Sequence, residues 1–362
     1  MRNQEKIFVI GHKNPDTDSI CSAIAYCDIK NRTSQKQRFV PKRAGQINEE
    51  TEYVLSRFGV QPPGYLSNIG TQVKDMDIRM SPEADKSMSL KAAWDIMQEN
   101  SIVSLPIRDK EGALEGLITI GDIAKTYMDT TDSYLLSRAR TQYQKIAETI
   151  HGEIIEGNPH GYFIKGRVMV GTANPDKMKE YIEEDDMIIM GDREEDHLQA
   201  IAQNVSCIIV GLGIQVTEKV VKLAHEKDII IIASPYDTFT IARLINQSIP
   251  VRYIMKTDNL VTFNTEDFTD DIQDVMIKHR HRAFPVINKK GKCIGTISRR
   301  NFLGMHKKQV VLVDHNEVDQ AVDNIEKADI LEIIDHHKLG TLQTVQPISF
   351  RNQPVGCTAT II

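Results

Sequence analysis

Lys6-Ile7-Phe8-Val9-Ile10 followed by Gly11-His12-Lys13-Asn14-Pro15-Asp16-Thr17-Asp18-Ser19 is the stretch that decides the fold. Five residues, mostly apolar, read as a short buried strand. The polar loop carries one imidazole and two carboxylates, and a helix is expected from near Ser19, with Ile20, Ala23, Ile24 and Cys27 on one face. Strand, loop and helix make a βα unit, so the fold class is α/β with a parallel sheet.

The same texture returns near the other end of the chain. Gln309-Val310-Val311-Leu312-Val313 reads as a strand running into Asp314-His315-Asn316, and Ile330-Leu331-Glu332-Ile333-Ile334 as one running into Asp335-His336-His337. Three strand exits therefore bear acids and imidazoles. In open α/β sheets ligands collect beyond the carboxyl ends of strands. That many anions share a crevice only with cations present, and mixed His and carboxylate donors suit Mn²⁺, Co²⁺, Zn²⁺ or Fe²⁺ better than a pure Mg²⁺ site. The donor count suits two metals, which would activate a water against phosphorus. The helix N-terminus after the first loop favours phosphate. Each piece alone has a plainer reading. Asp18 sits where a helix cap belongs, and a lone Asp-His-His is commonly a solvated turn. The coincidence of all three at strand exits favours a site.

Between these segments lies a repeat. A helix over Ser89 to Glu99, a strand at Val103–Ile107, a turn, a strand at Gly116–Ile120 and a helix opening at Gly121-Asp122 recur as a helix over Asp270 to His279, strands at 283–287 and 293–297, and a helix start at Ser298-Arg299-Arg300-Asn301. Repeated units of this kind pack on each other. Residues 130–250 read as a separate α/β module with strands at 168–170, 187–190, 207–210 and 229–232.

Net charge is −6, against a general nucleic-acid partner. No apolar run reaches the roughly 20 residues that span a bilayer, and Met1-Arg2-Asn3-Gln4-Glu5-Lys6 lacks the form of a signal peptide. Five scattered cysteines with no CxxC pair suit a reducing cytoplasm.

The motifs around His12, Asp314 and Asp335-His336-His337 resemble those of the DHH-type (family II) inorganic pyrophosphatases. The match covers roughly residues 1–68 and 307–362. The resemblance implies that His12, Asp16 and Asp314 hold one Mn²⁺ or Co²⁺ ion, and that Asp18, Asp314 and His336 hold a second. It also implies that His337 meets the phosphate or leaving group and that Asp335 supports the site from behind the ligands. The substrate implied is pyrophosphate, accompanied by Mg²⁺. The family's further aspartate ligand and its Arg/Lys-bearing second lobe are not found before Ile362. Truncation and poor turnover are therefore expected. The repeats resemble CBS domains, which pair to bind adenine nucleotides, and residues 130–250 resemble a DRTGG domain, of which Gly191-Asp192-Arg193 keeps the start of the name motif.

The expected order is thus 1–68 catalytic, 69–129 CBS, 130–250 DRTGG, 251–306 CBS and 307–362 catalytic, the last part incomplete. Candidate nucleotide contacts are Thr119, Asp122, Arg282, Phe284 (stacking on adenine), Ser298, Arg299 and Asn301. Asp122 and Asn301 are otherwise plain helix caps. The architecture implies regulation by AMP, ADP, ATP or diadenosine polyphosphates, and a homodimer. Two other readings remain: a nucleotide-sensing module with a non-functional DHH domain, and a DHH phosphodiesterase acting on a nucleotide or polyphosphate. Calorimetry with AMP and phosphate release with Mn²⁺ or Co²⁺ separate the readings.

Overall fold

The computed structural model describes residues 5–34, 37–129, 132–173 and 175–362. The polar lead-in at residues 1–4 and the expected domain junction at 130 lie outside them. The chain divides into two compact units. Residues 1–77, 265–280 and 299–362 form the first, and 78–264 with 281–298 form the second.

The first unit is built on a six-stranded, wholly parallel sheet. Strand β1 (Glu5–Ile10) sits at its middle, with β2 (Gln37–Arg43) and β3 (Gly64–Tyr65) on one side and the strands Gln309–Val313, Asp329–Asp335 and Ser349–Asn352 on the other. Both faces are covered, as parallel sheets require. Ile7, Val9, Val311, Val313 and Ile334 point to one side, against Ala23, Tyr26 and Cys27 of helix α1 (Thr17–Thr33). Ile10, Val310, Leu312 and Ile333 point to the other, against Ile69, Val322 and Ile325.

Helix α1 begins two residues earlier than the sequence implied. Its cap is Asp16, in extended backbone, whose carboxylate accepts the Ser19 N–H at 2.9 Å. Such a cap contributes about 1 kcal/mol. Asp18 is thereby placed inside the first turn, which corrects the reading of Asp18 as the cap. The helix Thr269–Lys278 of the second repeat belongs to this unit. Its lead-in is tied down by Val73 N–H to the Asp267 carbonyl and Lys74 N–H to the Thr265 carbonyl, both at 2.9 Å.

In the second unit, a five-stranded sheet runs in the order Val168–Val170, Met187–Met190, Cys207–Val210, Ile230–Ala233, Glu153–Glu156, with only the last strand antiparallel. The first three strands fall where the sequence placed them. The two repeats each form a hairpin, Ser104–Arg108 with Leu114–Thr119 and Phe284–Ile287 with Cys293–Ile297. Each hairpin is extended by the segment leading into the other repeat. Arg79–Met80 pairs with Cys293–Ile297, and Lys256 exchanges two backbone hydrogen bonds with Leu117 at 2.9 and 3.0 Å. Among the described residues no helix is long and apolar enough to cross a membrane.

Candidate metal centre

Chain order reverses at β1, because β2 lies on one side and Gln309–Val313 on the other. The carboxyl ends of these two strands open a crevice at this switch point. Gly11 turns the chain out of β1. A Cβ there would lie 1.8 Å from Ser19 Oγ, so only glycine lets the loop pass the first turn of α1. The loop is pinned by Lys13, whose N–H donates to the Gln320 carbonyl at 2.7 Å and whose ammonium meets Asp323 at 2.9 Å. At the end of the neighbouring strand Asp314 takes a left-handed backbone, φ 65°, while its N–H still donates to the Ile334 carbonyl at 2.9 Å. A non-glycine residue held there costs on the order of 1–3 kcal/mol and needs a compensating role.

The two ends of the Asp314 carboxylate face different imidazoles. His12 Nε2 is 3.3 Å from Oδ2 and 3.9 Å from Asp16 Oδ1. His336 Nε2 is 3.4 Å from Asp314 Oδ1 and 3.9 Å from Asp18 Oδ2. His337 Nδ1 lies 4.0 Å from Asp314 Oδ1. Two groups of donor atoms result, His12 with Asp16 and Asp314, and Asp314 with His336 and His337, each within 4.8 Å. Asp314 belongs to both. The structure thus brings His12, Asp16, Asp18, Asp314, His336 and His337 to one crevice, with Asp18 beside His336.

Asp335 stands behind them, fully buried. Its carboxylate accepts from the His336 N–H at 2.8 Å, the His337 N–H at 3.2 Å, His337 Nδ1 at 2.8 Å and the Asn316 amide. Burial would raise its pKa, but these donors, His337 first, hold it below the usual carboxylate range. Asp314 is pushed the other way. Its burial dominates and the charges of Asp18 and Asp16 add to it, against the neighbouring His12 ring and the Thr358 hydroxyl. Burial would lower the His12 pKa, yet the Asp314 carboxylate beside it, with Asp16 and Asp335, raises it.

Two observations say that this donor set fits divalent cations. Asp314 Oδ2 is buried with no aligned hydrogen-bond partner, an expensive state for a carboxylate oxygen. The His336 Nδ1–H is committed to the Val355 carbonyl at 3.0 Å, which leaves Nε2 as the atom toward Asp314. Oxygen and imidazole donors of this kind suit Mn²⁺, Co²⁺ or similar ions.

Two further residues reach the site without a role assigned to them from the sequence. Asn316 holds Asp335. Thr358, in a short 3-10 turn (Thr358–Thr360), donates its hydroxyl to Asp314 Oδ1 at 2.8 Å. The first is a neighbour of Asp314 in its motif, and that proximity was the only available signal. The second left none.

The candidate nucleotide contacts are less uniform. Thr119 and Asp122 form a reciprocal cap on the helix Ile120–Asp129. Asp122 accepts the Thr119 N–H at 2.9 Å, and Thr119 Oγ1 accepts the Asp122 N–H at 3.2 Å. The other Asp122 oxygen meets Lys256 at 3.5 Å. Arg282 is exposed and Ser298 half-buried. Phe284 is corrected: it is 0% exposed, packed on Phe263 and His281 with ring centroids 5.3 and 5.8 Å away, and offers no face to a base. It heads the strand Phe284–Ile287, whose first three residues are all buried. Arg299 and Asn301 belong to the first unit. There the Arg299 guanidinium donates to the Met276 and His279 carbonyls, and the Asn301 amide donates to the Asp77 carbonyl at 2.6 Å. The expected helix at this point is only a 3-10 turn, Arg299–Phe302.

Comparison with known proteins adds to this geometry. The CBS domain family matches residues 73–129 and 251–307, and the DRTGG domain family matches 145–248. The chain is 39% identical over 359 residues to a cobalt-dependent inorganic pyrophosphatase of Clostridium perfringens. That match takes in 99% of this chain and 65% of the relative. It is 32% identical over 362 residues to a probable manganese-dependent inorganic pyrophosphatase of Thermotoga maritima, covering all of this chain and 66% of that one. Among solved structures it resembles the CBS and DRTGG domains of the regulatory region of the Clostridium perfringens pyrophosphatase, complexed with the activator diadenosine tetraphosphate. That match has 35% identity and TM-score 0.60, over 63% of this chain and all of that one. The chain thus spans just under two thirds of the length of these curated relatives.

Proposed function

Because the chain belongs to the family II inorganic pyrophosphatases that carry CBS and DRTGG regulatory domains, we propose that it hydrolyses pyrophosphate to two phosphates at the crevice around Asp314, under control of adenine nucleotides. The observation that carries this is the sharing of one buried carboxylate, Asp314, by two groups of donors within 4.8 Å. His12, Asp16 and Asp314 would hold one ion; Asp314 and His336, with Asp18 3.9 Å from His336 Nε2, would hold the other, as Mn²⁺ or Co²⁺, and His337 of the second donor group would face the substrate. When bound, the pair supplies Lewis-acid neutralisation for the phosphoryl oxygens and for the attacking water.

The chain's own residues orient that chemistry. The Val355 carbonyl keeps the His336 proton on Nδ1. Asp335 accepts from His337 Nδ1 at 2.8 Å and so leaves Nε2 of this half-exposed ring as the atom that meets substrate or leaving group. The N-terminus of α1 adds partial positive charge beside the crevice.

Adenine nucleotides are proposed to bind at the CBS pair, with Thr119, Asp122, Arg282 and Ser298 as contacts within the second unit. The likeness to a regulatory region complexed with diadenosine tetraphosphate supports this. A homodimer in the cytoplasm is proposed on the same family ground, and sedimentation tests the dimer.

The experiment is phosphate release from pyrophosphate with Mn²⁺ or Co²⁺, beside Asp314→Asn and beside a phosphodiester substrate. Release from pyrophosphate, abolished by the substitution, supports the reading. Turnover of the diester alone makes the protein a phosphodiesterase. Binding of AMP without uptake of either metal leaves a nucleotide sensor.

A further inference from the structure

Thr358 lies 44 residues from Asp314 and 340 from Asp18 in sequence, yet it touches both. Its hydroxyl donates to Asp314 Oδ1 at 2.8 Å, and its backbone N–H donates to Asp18 Oδ2 at 2.6 Å. The next N–H, of Ala359, donates to Asp18 Oδ1 at 3.0 Å. The side chain is fully buried.

A hydroxyl at the start of a turn commonly serves that turn. Here the cap position is Cys357, which makes no side-chain cap hydrogen bond, while the Thr358 hydroxyl points instead to another segment's carboxylate. The effect on Asp314 is specific. One oxygen is held by an O–H donor, and the other is left without a hydrogen-bond partner, 3.3 Å from His12 Nε2. The two donors to Asp18 likewise settle its rotamer, with help from Ser22 Oγ at 3.1 Å. Neutral donors on both carboxylates also reduce the repulsion of gathering them.

We propose that Thr358 is a positioning residue for the metal centre: its hydroxyl sets the orientation of the shared ligand Asp314, while its backbone ties Asp18 to the same turn. This rests on the reading of the crevice as a two-metal site. Hydrogen-bond partners that orient metal ligands alter affinity about 10–100-fold when removed. A valine keeps the shape of threonine and deletes the hydroxyl, and a serine keeps the hydroxyl and deletes the methyl group.

The test is calorimetric titration of the whole chain with Co²⁺ and with Mn²⁺, together with the visible absorption of the Co²⁺ form. Wild type, Thr358→Val and Thr358→Ser are compared, with thermal unfolding in chelator as the measure of folding. Thr358→Val is expected to bind about 10–100-fold more weakly with an altered Co²⁺ spectrum, and Thr358→Ser to stay within about threefold of wild type. Wild-type affinity in Thr358→Val overturns the proposal. So does a serine variant as weak as the valine one, which would assign the effect to the methyl group. A loss of affinity that merely follows a loss of folded protein overturns it as well. A wild-type chain that takes up neither ion sinks the metal reading itself, and Thr358 with it.

Discussion

His336 donates Nδ1–H to the Val355 carbonyl at 3.0 Å, and that one bond decides which ring nitrogen looks toward Asp314, 3.4 Å away. The imidazole is oriented before any ion arrives. Because His336 serves only one of the two donor groups, His336→Ala should reduce bound Mn²⁺ or Co²⁺ from two ions per chain to one. Asp314→Ala, which strikes both groups, should leave none. Elemental analysis after gel filtration reads the counts directly, and equal loss in both variants would contradict the division into two groups.

Asn316 is a structural counterpart to the candidate metal ligands. Its amide N–H groups go to the Asp335 carboxylate and to the Lys338 carbonyl at 3.0 Å, and its side-chain oxygen accepts the Gly340 N–H. Asn316 is 5% exposed and Asp335 not at all. Removal strands a buried charged acceptor and a backbone donor, so Asn316→Ala should cost about 3 kcal/mol. Urea unfolding in chelator measures this, and a loss below about 0.5 kcal/mol would show that Asp335 is held by its other donors alone.

Gly11 and Ser19 are pressed together where β1 hands over to α1. Gly11→Ala places a methyl group 1.8 Å from the Ser19 hydroxyl and 3.2 Å from its carbonyl oxygen, so the loop or the helix must shift. The cost expected is about 1–3 kcal/mol. The Ser19 hydroxyl has no hydrogen-bond partner, so Ser19→Ala alone should be nearly neutral. In the Gly11→Ala background it should recover part of the loss, a coupling visible in a double-mutant cycle. Purely additive effects would rule out the contact as the cause.

These cases show where the sequence is legible. The strand Gln309–Val313 can be read because its apolar run is unbroken up to Asp314, and the candidate donors can be read because they sit at strand ends. The cap of α1 was misplaced because Asp16 and Asp18 are both plausible caps locally, and only the backbone shows Asp16 accepting from Ser19. Phe284 looked like a stacking residue from its place in a repeat, whereas strand packing buries it. Thr358 could not be read at all. Its partners come from two distant segments, and no periodicity or motif connects a threonine to carboxylates that far away.

His315, next to Asp314 in the chain, gives a pH signature in the metal-free protein. Burial pushes its pKa down to about 4, against the Val313 carbonyl that accepts from its Nδ1. A neutral buried histidine contributes stability that is fully present above 6.5, the value of an ordinary histidine. That stability is lost as pH falls from there toward about 4, because the unfolded chain binds the proton first. The full effect is about 3 kcal/mol. His12, raised by Asp314, acts oppositely and above this window, since its contribution is lost as pH rises through its folded value. In chelator the His315 ring resonances should therefore stay flat from neutrality to about pH 5, while the urea midpoint falls over the same range. Titration of His315 near 6.5 would contradict its burial.

In the proposed function, three separated segments converge on Asp314 to cage a pair of divalent ions. Anomalous scattering from a crystal of this chain grown with Mn²⁺ tests it most directly. Two manganese peaks are predicted, on either side of the Asp314 carboxylate, one against His12 and Asp16 and the other against His336. Manganese absent from this crevice, or found only on surface carboxylates elsewhere, would rule out the two-metal site.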